Sequence, residues 1–110
     1  MSSWTAIVGL DEPTTPSGDR PQIEVLARTT GANVVRISFR AGQVMAEHRT
    51  ARPILVVGQR GDVDFTVEGE TTRLAPGVAI HVEPDVTHAL AASTDAVVTL
   101  LVLERTDTTD

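Results

Sequence analysis

Two short segments hold the residues best suited to chemistry. Gly42-Gln43-Val44-Met45-Ala46-Glu47-His48 and, forty residues later, Glu83-Pro84-Asp85-Val86-Thr87-His88 each end on a histidine. A neutral imidazole is the commonest protein metal ligand, and near neutral pH it also carries protons and makes hydrogen bonds. Read with period two, His48 shares a face with Val44 and Ala46, and His88 with Val86 and Leu90. Both rings are therefore expected on the apolar side of their strands, looking inward toward a common point. Two imidazoles fall short of the four ligands of a structural zinc or the three, plus water, of a catalytic one. Glu47 and Glu83 fall on the opposite parity, pointing away from that side. His81 shares a face with Ala79 and Glu83 and is expected to face outward. Glu68 and Glu70 flank a turn glycine and read as a solvated turn, because acid/base carboxylates need an enclosed site to shift their pKa. Phosphate loops, serine elbows and cysteine nucleophiles are absent.

The elements that must position these histidines read as strands. Ile23, Val25 and Ala27 alternate with Gln22, Glu24 and Arg28, and after a turn at Thr30-Gly31-Ala32-Asn33 the residues Val35, Ile37 and Phe39 alternate with Arg36, Ser38 and Arg40. This pattern predicts a hairpin. Val63, Phe65 and Val67 alternate with Asp62, Asp64, Thr66 and Glu68, and Glu68-Gly69-Glu70 turns the chain into Thr71 to Leu74. Pro76-Gly77 then turns it into Val78 to Val82. Residues 96–104 are apolar on both faces, as in a strand covered on both sides. No stretch sustains a helical period, and glycine or proline punctuates the chain at short intervals, which argues for an all-β sandwich or barrel.

The two histidine segments resemble the two conserved motifs of the cupins, small β-barrels of the jelly-roll class. The first cupin motif runs glycine, five residues, histidine, one residue, histidine, three or four residues, glutamate, six residues, glycine. Gly42, His48 and Gly61 fit it, whereas Thr50 stands at the second histidine and Ile54, or Leu55 in the longer spacing, at the glutamate. In the second motif His88 matches the ligand position after Gly77, while Glu83, Asp85 and Ala92 replace the usual proline, glycine and asparagine. The resemblance covers residues 34–103 and implies a metal site with half its ligands missing. It also implies a lumen lined by Val44, His48, Thr50, Ile54, Phe65 and His88.

At 110 residues the chain suits one domain with a single core. Residues 1–21 read as a leader strand with a proline-rich linker, 22–105 as the barrel, and 106–110 as a polar, frayed tail. No apolar run is long enough for a membrane helix, and the N-terminus lacks the basic and apolar regions of a secretory signal. Cysteine is absent, so disulfides and thiol chemistry are too, and a soluble, cytoplasmic protein is expected. Fifteen acids oppose nine bases for a net charge of −6, and the nine arginines are scattered singly, so neither nucleic acid nor membrane is an expected partner. Only three aromatic rings, Trp4, Phe39 and Phe65, argue against a stacking platform.

These observations predict a single-domain, all-β, cupin-type jelly-roll barrel. Its leading function is binding a small organic molecule in the lumen without a complete metal centre. One alternative is a metal-dependent oxygenase or isomerase in which His48 and His88 hold a divalent metal (Zn, Fe, Mn or Ni). The other is a structural assembly module. The apolar leader Trp4 to Val8 and the doubly apolar last strand point to a homodimer.

Overall fold

The structure is a computed structural model and describes residues 3–14 and 18–105. Among the described residues nine strands run in order: β1 (Gln22–Thr29), β2 (Ala32–Phe39), β3 (Val44–His48), β4 (Ile54–Arg60), β5 (Val63–Val67), β6 (Glu70–Leu74), β7 (Ala79–Val82), β8 (His88–Ala92) and β9 (Ala96–Leu103). They form a five-stranded sheet, β1-β2-β9-β4-β7, and a four-stranded sheet, β3-β8-β5-β6, with every pairing antiparallel. No helix of the described residues is long and apolar enough to cross a membrane. The architecture is an all-β jelly roll, as the alternation predicts.

The core lies between the two sheets. Ile37 and Phe39 from β2, Ile54 and Val56 from β4 and Val98 from β9 meet Val63 and Phe65 from β5 and Leu90 and Ala92 from β8. Strand β9 sits at the centre of the larger sheet with β2 and β4 as neighbours. Its inner residues fill the core, and its outer residues Val97 and Thr99 are also buried. Thus the predicted two-sided strand is observed.

What covers the outer face is the N-terminal segment. Arg36 donates to the Gly9 carbonyl at 2.7 Å and to Thr14 Oγ1 at 3.1 Å, and pairs with Glu24 at 2.7 Å. The Thr14 amide donates to Ser38 Oγ at 3.1 Å. Residues 4–9 have no strand pairing, so the leader expected to be a strand is an irregular segment strapped across a sheet face by side chains. The polar tail 106–110 lies outside the described residues.

Two β-bulges alter the predicted phase. In β1 the register shifts between Val25, which faces Val35, and Ala27, which faces Val34. Ala27 therefore leaves the face of Ile23 and Val25, because the extra residue flips the alternation. In β3 the register runs from Met45 opposite Leu90 to His48 opposite His88, three residues against two. Consequently His48 shares its inner face with Met45, not with Val44.

Candidate functional site

His48 closes β3 and His88 opens β8, and the two are direct cross-strand partners. Their rings meet edge to face with centroids 4.3 Å apart. His88 is 3% exposed and lies flat against Phe65, at 5.7 Å between centroids and 6° between planes. Phe65 is a buried residue of the cleanest alternating strand, so the middle of β5 provides a rigid backing for the imidazole.

Each histidine is oriented by the backbone carbonyl two residues before it. His48 Nδ1 lies 2.9 Å from the Ala46 oxygen and His88 Nδ1 lies 3.0 Å from the Val86 oxygen. A carbonyl oxygen only accepts, so Nδ1 carries a proton on both rings, and in the neutral form of each ring Nε2 is the acceptor. Burial holds the His88 pKa below the usual histidine value; the Val86 carbonyl opposes that shift and the neighbouring His48 adds to it. At neutral pH His88 is accordingly an uncharged hydrogen-bond acceptor.

The rings border a cavity of about 50 Å³, walled by Met45, Ile37, Ile54, Leu90 and Leu100. Thr50 also reaches it, but its hydroxyl donates to the Arg52 carbonyl at 2.8 Å. The loop carrying Thr50 is tied to the turn before β8, because the Asp85 amide donates to the Thr50 carbonyl at 2.7 Å. Arg105 adds an ion pair to Asp85 at 3.3 Å and a hydrogen bond to the Ala51 carbonyl at 3.2 Å. Both loops are therefore tied to Arg105, just beyond the end of β9.

Of the six residues predicted to line the lumen, His48, Thr50, Ile54 and His88 converge on this cavity. Phe65 stands behind His88 and contacts the site through that ring. Val44 does not belong: it faces outward opposite Ala91 and is 54% exposed, because the β3 bulge reverses its phase. Met45 takes the place assigned to Val44, and only the bulge separates the two readings. Leu90 shares parity with His88 and was legible as a wall, whereas Leu100 on β9 becomes one only when the sheets are stacked. His81 faces outward beside Leu55, with Glu83 at 3.7 Å, as predicted.

Residues 35–104 match the family model described as a cupin domain. The chain belongs to the cupin family. No curated protein sequence matches it. Among solved structures, a cupin superfamily protein from Desulfitobacterium hafniense is similar with a TM-score of 0.75 at 17% identity, over 84% of each chain. An uncharacterised protein with a double-stranded β-helix domain from Klebsiella pneumoniae gives a TM-score of 0.79 at 22% identity, over 91% of this cupin and 90% of that chain. KdgF from a Halomonas species gives 0.70 at 24% identity, over 83% and 87%. At such identities the likeness speaks for the fold.

In this cupin the donors near the two histidines do not fit a metal held by three or four side chains. Among the described residues no group of three or more His, Cys, Asp or Glu is placed to hold an ion. Glu47 and Glu83 are exposed, Thr50 has its hydroxyl engaged with Arg52, and position 54 is an aliphatic side chain 3% exposed. A protein-held catalytic metal needs at least three such donors.

Proposed function

We propose that this cupin binds a small organic molecule at the barrel cavity, using His48 and His88 as paired acceptors and no complete metal centre. The observation that carries the reading is the tautomer imposed by Ala46 and Val86, which leaves two Nε2 lone pairs at one apolar hollow. Such a site favours a hydroxyl or ammonium donor on a short aliphatic body, since buried acceptors gain by pairing with donors. The hollow is well below the roughly 300 Å³ of drug-sized sites, so it suits one small group of a ligand. Strongly exposed Trp4 and Val8, at 75% and 81%, support homodimerisation as the second element of this reading.

Native mass spectrometry and elemental analysis of untagged protein test the proposal. An organic adduct lost in His48→Leu and His88→Leu, together with substoichiometric metal, is the expected result. Stoichiometric, chelator-resistant metal that disappears in the same variants would replace the binder with the metal-dependent enzyme.

A further inference from the structure

A second, larger hollow lies away from the histidines, where β2 and β4 end and β9 begins. It encloses about 380 Å³, a volume within the range of small-molecule sites. Ser38, Val97 and Arg60 border it in one row across the sheet, since Val97 is the register partner of both Ser38 and Arg60. Pro13 and Thr14 of the N-terminal segment form the facing wall. Thr14 is fixed there, its amide donating to Ser38 Oγ at 3.1 Å and its hydroxyl to Glu24 at 3.1 Å.

Arg40 and Arg60 both line this hollow. Elsewhere the chain pairs its structural arginines, Arg36 with Glu24 and Arg105 with Asp85. Among the described residues neither Arg40 nor Arg60 has an acid within ion-pair distance. The one carboxylate on the lining, Asp95, accepts from the Ala41 amide at 2.9 Å. Two guanidiniums and one carboxylate leave a single positive charge, in a protein whose net charge is −6 and whose general field repels anions. A local excess of one positive charge matches a monoanion better than a dianion. The planar guanidinium fork matches a carboxylate, which it can grip through two parallel hydrogen bonds. Pro13 and Val97 supply apolar surface beside that charge.

We propose that this hollow is a second binding site, for a small organic monocarboxylate, with the carboxylate between Arg40 and Arg60 and the apolar body against Pro13 and Val97. The site is independent of the histidine cavity, with which it shares no lining residue. Failure of either reading leaves the other standing.

Amide chemical-shift titrations of the isotope-labelled full chain at constant ionic strength test it, with benzoate, its uncharged analogue benzamide, and inorganic phosphate as probes. Benzoate is expected to give saturable shifts at Thr14, Arg40, Ala96 and Val97, and benzamide none there. Arg40→Gln and Arg60→Gln should each weaken benzoate about tenfold or more, the equivalent of about 1.4 kcal/mol. Both positions are exposed, so the variants should keep wild-type spectral dispersion, and the benzoate–benzamide contrast in the unaltered protein stands whether or not they fold. Four outcomes would each overturn the proposal: no saturable shift at tens of millimolar, phosphate binding as tightly as benzoate, shifts confined to the His48–His88 cavity, or unchanged affinity in the well-folded double variant.

Discussion

His88 ties the site to stability through its proton. Its pKa in the folded state lies below the ordinary value, chiefly through burial. A base depressed in this way favours the folded state only while it is neutral: its contribution is fully present above the usual histidine range and is lost as pH falls through it toward the folded value. Urea unfolding should therefore show stability dropping as pH falls below the ordinary histidine value of about 6.5, by at most about 1.4 kcal/mol per pH unit for this one proton. His88→Gln, which removes the titration, should flatten that slope; an unchanged slope would assign the effect to other groups. Thr50 and Ile54 carry the other residue-level test, because both border the histidine cavity at the positions where the cupin motif places ligands. Thr50→His combined with Ile54→Glu should rebuild a four-ligand set and raise zinc affinity by about two orders of magnitude or more in calorimetric titration. If zinc affinity does not rise in the folded double variant, the motif register between Gly42 and Gly61 is wrong.

At the scale of the elements, β5 and β4 set the precision of the site. Phe65 is 1% exposed and backs the His88 ring, so Phe65→Ala should cost about 3–5 kcal/mol in chemical denaturation and loosen the imidazole at the same time. A loss under roughly 1 kcal/mol would contradict its place in the core. Gly58 on β4 donates its amide to Val78 and accepts from Gly77, holding the chain after β6 against the larger sheet. A Cβ at this position would collide with the backbone oxygen of Ala75, which cannot swing aside as a side-chain end can. Gly58→Ala should accordingly destabilise by about 1–3 kcal/mol, the usual range for overpacking. A variant as stable as the wild type would show that the β6–β7 connection yields freely.

On the scale of the whole molecule, the N-terminal segment links the sheet face to self-association. Arg36, Thr99 and Ser38 fasten it through Gly9, Leu10 and Thr14, and this attachment leaves Trp4 and Val8 projecting into solvent. In the proposed dimer these two side chains supply apolar area that the barrel itself does not cover. Deleting residues 1–10 should weaken dimerisation about tenfold or more in sedimentation equilibrium, and it should also uncover the buried Arg36 guanidinium. A truncated chain with the same dimer mass and stability would exclude the segment from the interface.

Residue alternation by itself determined the all-β class, most of the strands, the inward His88 and the outward His81, because a half-buried strand must repeat its apolar face every second residue, whereas His48 faces inward only because the β3 bulge breaks the phase it shares with Val44. The motif spacing likewise placed Thr50 and Ile54 beside the histidines. Tertiary structure alone decided which residue of β3 lines the cavity. A bulge adds one residue to a strand without leaving a compositional trace, so Val44 and Met45 exchange faces. It also decided that the leader crosses a sheet face instead of pairing as a strand, since Arg36 and Thr99 lie far from Gly9 and Leu10 in sequence and meet them only after the sheet has formed. The hollow between Arg40 and Arg60 was hidden for the same reason: the two lie twenty positions apart, on the ends of strands that become near neighbours only when β9 is inserted between them.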